Sequence, residues 1–498
     1  MTDALVFLVV APIVAALFPI ALGTFFERAG WAVAAVAAVV QLGLSLVVLR
    51  RVLTGGRFSY EVGDFQPPMG IELIGDGVSA TLLVLIAAVT LGVVAYARRA
   101  GPRSNTFYSE LLLLTAGVSG VVATGDVFNL YVFIEITGLA TYALVASDRS
   151  ARAAVASLKY LFVGTIGASL YLLGVGYLYV ATGTLNMADL AETLPTVGYA
   201  SPLVLTGFGL IVTGLLVKVA LFPLHTWQPG AYAESPDTVS AYISALVSTV
   251  AAYALFRIIY AVFTLEFFAA VPAARDILVA LAAISVVAGS TLAVMQSEPK
   301  RMLAYSSVSQ FGLVVAGVAI ANETAVFGAL VHLVGHAVMK GGLFLTVGVI
   351  AAGTGARTLD DFAGLADRAP VASAAFAVLA FSMVGIPPAV GFVGKWNIVL
   401  GAVAAGEWIV AAVVVVSTLL TLAYFARFIE RIYFADVSDH GADARTVADG
   451  GAGDAGRPPV SVGMRVVVVA AAVTAVLLGV VASDLIAVFE PVLEVYFA

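Results

Sequence analysis

Apolar runs of about 20 residues recur from one end of the chain to the other. Each is long enough to cross a hydrocarbon core roughly 30 Å thick at about 1.5 Å of helical rise per residue. The mean hydropathy of +1.06 extends along nearly the whole chain, so this is no soluble domain on a single anchor. Only 11% of the 498 residues are charged, against roughly 25% in soluble domains. Lipid admits only helices or closed barrels, because every backbone polar group must be satisfied internally. The runs are continuously apolar rather than alternating, which reads as helix. The expected fold is an all-α polytopic membrane protein, a single transmembrane domain over 1–498. About 14 spans are expected, near 4–22, 30–50, 77–97, 108–124, 127–147, 155–181, 203–229, 236–263, 274–295, 302–320, 325–351, 371–403, 407–434 and 464–489. The opening "MTDALVFLVV" lacks the basic flank of a signal peptide and reads as the first retained span.

Loop charge gives orientation. Of the 24 Lys and Arg, three lysines lie deep inside spans, and Arg50, Arg51, Arg57, Arg257 and Arg275 fall in loops on one side. The other 16, including Arg98, Arg99, Arg103, Lys300 and Arg301, gather on the opposite side. Basic loops stay inside, so both termini are expected outside a cell membrane. The acidic, Gly-rich segment 435–463 reads as a polar loop before the last helix at 464–489, and 54–76 alternates enough for a short hairpin. With no cysteine there is no disulfide or thiolate metal site.

Two spans are broken alike. "LLVKVALFPLHTW" holds Pro223, and "SMVGIPPAVGFVGKW" holds Pro387 and Pro388. A proline removes one backbone donor and collides with the carbonyl four residues earlier, which frees the carbonyls of Val219, Met383 and Val384. Interrupted helices at matching places in two halves point to an internal repeat around a transport path; an isolated proline kink is the plainer alternative.

The charged residues inside spans are selected. Three of the five lysines, Lys218, Lys340 and Lys395, lie deep in apolar runs, whereas most of the 19 arginines lie in loops. A buried lysine can release its proton and an arginine cannot. Glu135 stands alone in "YVFIEITGLATYALVA". Each such charge costs about 2.5–3.5 kcal/mol on insertion scales if it faces lipid. All four should therefore face the bundle interior, and Glu135 is expected to pair with Lys218. "HLVGHAVMK" sets His332, His336 and Lys340 on one helical stripe, read as a proton relay. Two histidines four apart can also bind zinc, but no Glu follows the H-E-x-x-H pattern and Lys340 repels a cation. Span 8 carries Ser240, Ser244 and Ser248 on one stripe, either packing small against neighbours or lining water.

These residues, in this order, resemble the antiporter-like membrane subunits shared by Mrp-type cation/proton antiporters, respiratory complex I and membrane-bound hydrogenases. The similarity rests on "LYVFIEITGLATYALVA", "LLVKVALFPLHTWQPGAYAESPDTVSAYIS", "KRMLAYSSVSQFGLV", "HAVMKGGLFLTVG" and "GIPPAVGFVGKW". It implies two inverted five-helix repeats, spans 4–8 (108–263) and 9–13 (273–434), each with a Pro-broken helix. It implies Glu135 with Lys218 as the charge pair of a first half-channel, and Lys340, Lys395, His332 and His336 in the second. Most members of that family carry a lysine or histidine in span 8, where this chain has Ser244, Ser248 and Thr249. A water path along those hydroxyls is the expected substitute. Length and "GIPPAVGFVGK" look most like the D-type member of Mrp complexes.

The resulting expectation is a proton-translocating subunit of a monovalent cation (Na+)/proton antiporter, embedded in lipid among other membrane subunits. No cofactor, metal or nucleic-acid partner is expected. The rivals are a proton-pumping subunit of a complex I-like NADH-quinone oxidoreductase or membrane-bound hydrogenase, a non-conducting scaffold, and an intramembrane metal site at His332 and His336.

Overall fold

A computed structural model describes residues 3–23, 25–26, 29–435 and 460–497. Most of the expected polar loop, 436–459, lies outside the described residues. The chain starts with helices α1 (Ala4–Gly23) and α2 (Ala29–Gly55). The expected hairpin follows, with β1 (Phe58–Glu61) antiparallel to β2 (Glu72–Gly75). Then come α3 (Gly77–Ala100), α4 (Asn105–Ala123), α5 (Val127–Ala146) and α6 (Ala151–Thr182). A short helix α7 (Met187–Val197), absent from the sequence reading, precedes α8 (Pro202–Val219), α9 (Gln228–Glu234) and α10 (Asp237–Arg257). A π-helical stretch, Ile258–Phe263, and α11 (Thr264–Ala270) lead to α12 (Pro272–Val294), α13 (Pro299–Ala319) and α14 (Glu323–Thr354). The one-turn α15 (Leu365–Arg368), α16 (Pro370–Val384), α17 (Val390–Ala404) and α18 (Trp408–Phe434) complete the second half.

Polar caps stop the spans where the apolar runs end. Asp76, Ser104, Asp126, Ser150 and Asn322 each accept backbone N–H groups of the first helical turn that follows them, satisfying donors that lipid would leave bare.

Among the described residues, thirteen helices are long and apolar enough to cross a membrane. The span expected at 371–403 is instead two shorter helices, α16 and α17, because Pro387 and Pro388 interrupt it. The last expected helix, 464–489, also divides, into Val462–Val480 and Ala482–Phe497. Arg257 is no loop residue: it ends α10, buried, and pairs with Asp76.

The helices differ in what covers them. In the continuous span Asp237–Ala270, which α10 opens, and in α13 and α14, 94% of an apolar 18-residue window is buried, against 33% in α1 and 22% in Val462–Val480. These three helices form the centre, and the most protected segments are therefore the ones carrying Ser248, Gln310, His332, His336 and Lys340. Polar groups have been placed where neither lipid nor bulk water reaches them.

Candidate functional site: a polar line through the bundle

The line begins at α5. Glu135 Oε1 lies 3.7 Å from Lys218 Nζ, and Lys218 also donates to Tyr142 Oη at 3.3 Å. Lys218 is buried, while the Glu135 side chain is 25% exposed and so reaches the rim of the bundle. Tyr142 stands edge-on to Tyr160, which stacks on Trp227 at 3.8 Å between ring centroids. This aromatic column holds one side of the lysine in place.

Lys218 sits one residue before the end of α8, at the first break. Ala220 takes a left-handed φ of 63°, and the chain runs irregularly through Pro223 to α9. The side chains here take up the carbonyls of Val217 and Lys218, just before the expected Val219. Trp227 Nε1 donates to Val217 O at 2.9 Å, and Ser248 Oγ lies 3.5 Å from Lys218 O. Ser248 also contacts Tyr232 Oη at 3.2 Å and Gln228 Nε2 at 3.4 Å. Ser244 and Thr249 bond back to Ala241 and Ala245 of their own helix. Of the three hydroxyls Ser244, Ser248 and Thr249, Ser248 alone reaches across to the broken segment. Tyr232 then packs edge-on against Phe344 of α14, 5.8 Å between centroids, one turn from Lys340.

Lys340 turns toward α13, where its ammonium donates to Leu303 O at 3.0 Å and to Ser306 Oγ. One turn further along α13, Gln310 Oε1 meets His332 Nε2 at 2.9 Å. The His332 and His336 rings are 6.5 Å apart, and Phe311 packs against His336. His332 abuts Gly394, where a Cβ would come within 2.6 Å of the His332 Cβ. Only glycine allows α17 this close, which brings the neighbouring Lys395 beside the histidine stripe.

At the second break, Lys395 Nζ donates to Met383 O at 2.8 Å and Val384 O at 3.0 Å. These are the two carbonyls that the Pro387–Pro388 interruption was expected to free. A cation thus occupies the C-terminal end of the half-helix α16, where the helix dipole favours positive charge.

Folded proteins pair nearly all buried polar groups. Among the described residues, the buried side-chain atoms to which the protein gives no hydrogen-bond partner belong to Glu135, Thr137, His225, Gln228, Gln310, His332, His336 and Tyr424. Glu135, Gln228, Gln310, His332 and His336 stand on the line from Glu135 to Lys395 and Tyr424 lies beside Ser306, whereas Thr137 faces Gly117 of α4 and His225 packs against Phe222 and Tyr305. For His336 both ring nitrogens are unpaired. Sequence reasoning found the charged members. It missed Tyr142, Gln228, Tyr232, Ser306, Gln310 and Tyr424, which are neutral and occur in helices that also use such residues for packing; a glutamine inside a central span was the one signal within reach.

Comparison with known proteins gives the family of the chain. Residues 123–421 match the family described as NADH:quinone oxidoreductase/Mrp antiporter, TM. The chain is 44% identical over 428 residues to the N subunit of the NADH-quinone oxidoreductase of Desulforudis audaxviator, covering 85% of this chain and 84% of that one. It is 34% identical over 390 residues to the D-type subunit of the Na(+)/H(+) antiporter of Bacillus subtilis, covering 78% of each. Its fold superposes with a TM-score of 0.89 and 29% identity on a chain of the membrane-bound sulfane sulfur reductase, an archaeal respiratory membrane complex, covering 98% of this chain and 97% of the other. The chain belongs to the NADH:quinone oxidoreductase/Mrp antiporter transmembrane family.

Proposed function

We propose that this chain is the D-type subunit of an Mrp-like sodium/proton antiporter in the cell membrane, and that protons cross it along the line Glu135, Lys218, Lys340, His336, His332 and Lys395. The carrying observation is the clustering along that line of unpartnered buried polar atoms of Glu135, Gln228, Gln310, His332 and His336, five of the eight residues that hold such atoms among the described residues. Water is the group that fits between them, being small and able to donate and accept at once. In this reading residues 108–263 and 273–434 are the two repeats, each centred on a broken helix. Lys218 gives up its proton when the influence of Glu135 is withdrawn, for Glu135 lies at the rim, where a neighbouring subunit can reach it. The proton then passes by water at Ser248 and Gln228 to Lys340, and by the histidines to Lys395. Other membrane subunits are its partners, the basic loops face the cytoplasm and both termini lie outside.

Proton flux into vesicles holding the whole complex tests this: Lys218→Ala protein with undiminished flux would sink it. A second reading, a proton-pumping subunit of a complex I-like oxidoreductase, is favoured by the 44% identity to an N-type subunit. Copurification separates the two, since a redox pump brings hydrophilic iron–sulfur subunits and an antiporter brings membrane subunits alone.

A further inference from the structure

On the basic side of the molecule lies a pocket that the proposed path does not use. It measures about 790 Å³ and lies where the ends of α3, α5 and α14 meet the starts of α10 and α13. Charges of both signs line it: Arg99, Asp148, Glu234, Asp237, Lys300 and Arg357. Against the wall of this pocket lies an ion pair. Lys300 Nζ donates to Asp237 Oδ1 at 3.0 Å and to Ser235 O at 2.6 Å, with the two side chains only 13% and 23% exposed.

The placement of this pair is unequal. Asp237 and Lys300 both stand in the first turn of a helix, α10 and α13 respectively. A helix N-terminus favours a carboxylate and disfavours an ammonium, so Lys300 is held by its two oxygen partners and not by its own helix. Immediately behind it, three residues or about 4.5 Å along α13, Leu303 O receives the ammonium of Lys340. Ser306, the other acceptor of Lys340, lies one turn deeper and is fully buried. The first two turns of α13 therefore lead from the pocket to the central lysine, with the Lys300 cation at their outer end.

We propose that this pocket is the vestibule through which protons reach Lys340 from the basic side, and that the Lys300–Asp237 pair is its gate. With the pair closed, the Lys300 charge bars hydrated cations from Ser306. When Lys300 leaves Asp237, water in the pocket becomes continuous with the Lys340 ammonium. The inference rests on the proposed proton line, and the test reads the gate separately from transport.

The chain has no cysteine, so a single introduced thiol reports access. In the whole complex, labelling is read on this chain alone with a small membrane-impermeant thiol reagent applied from the basic side. Glu234→Cys, in the pocket, is expected to label in any background. Ser306→Cys, behind the gate, is expected to label at least tenfold more slowly, and to approach the Glu234→Cys rate once Lys300→Met is added. An unreactive Glu234→Cys in an assembled complex overturns the vestibule. Equal Ser306→Cys rates with and without Lys300→Met overturn the gate. Proton leak without a sodium gradient gives a second readout in cysteine-free protein: Lys300→Met raises it, and the swap Lys300→Asp with Asp237→Lys, which keeps the pair, returns it toward wild type. Leak unchanged by Lys300→Met also overturns the gate. Loss of Lys218→Ala flux is independent of all these outcomes, so failure of the gate and failure of the proton line are told apart.

Discussion

Lys395 has two separable duties, and two substitutions divide them. Its ammonium covers the carbonyls of Met383 and Val384 at the end of a broken helix. Replacing it with Met keeps most of the stem's volume and removes the donors. A buried acceptor left unpaired costs about 1–3 kcal/mol, so two set an upper range of roughly 2–6 kcal/mol. That is a large share of a fold stable by about 5–15 kcal/mol. Replacing it with Arg keeps charge and donors, since a guanidinium carries five N–H groups. Arginine's reference pKa lies about 2–3 units above lysine's, so the deprotonated form in the same surroundings is rarer by about 10²–10³-fold. The account therefore predicts that Lys395→Met lowers the denaturant midpoint of the solubilised complex. It predicts that Lys395→Arg assembles with a near-normal midpoint but loses proton flux by two orders of magnitude or more. Wild-type flux from the arginine variant would show that no proton leaves at this position. An unchanged midpoint in the methionine variant would show that the carbonyls need no cover.

Four further outcomes follow from single contacts. Tyr142→Phe removes the hydroxyl that accepts from Lys218 and should slow flux several-fold while leaving assembly intact, as read in vesicles and on native gels. Ser248→Ala combined with Gln228→Leu removes the polar contact between α10 and the first broken segment beside Lys218 and should cut flux more than either change alone. Gly394→Ala forces α17 off His332 and should cost about 1–3 kcal/mol by overpacking, seen as a lower unfolding midpoint. Asp76, at the mouth of α3, supplies a pH test. Burial pushes its carboxyl up, but the Arg257 guanidinium and the Ser79 N–H and hydroxyl outweigh that and leave it below the usual carboxylate value. Its contribution is then complete above the unfolded-chain value of about 3.9 and lost as pH falls through the lower folded value. Wild type minus Asp76→Asn stability should be flat from neutral pH to about 5, worth roughly 3–5 kcal/mol for a broken buried pair, and shrink below about pH 4; a difference growing on acidification would refute the assignment.

What could be read in advance was what lipid forbids. Hydrocarbon tolerates no stray charge, so Glu135, Lys218, Lys340 and Lys395 stood out, and the structure sets Glu135 and Lys218 side by side. The same reasoning identified Met383 and Val384 as bare carbonyls, though not that Lys395 would cover them. The neutral members stayed hidden because a serine or tyrosine in a span costs little and serves packing equally well. Ser244 and Ser248 occupy one stripe in the sequence, yet one bonds back to its helix and the other reaches the break; only the position of α9 decides between them. Arg257 read as a loop residue because its partner, Asp76, is 181 positions away along the chain, a pairing that helix packing creates and local pattern does not announce.

The central claim is that water joins the unpartnered polar atoms into one line between the two broken helices. An experimental map of the assembled complex, sharp enough to show ordered water, tests it most directly. Water within hydrogen-bonding reach of Gln228 Oε1 and of both His336 nitrogens, continuing toward Lys218 on one side and Lys395 on the other, is the predicted result. A dry, close-packed gap between Ser248 and Lys340 would contradict it.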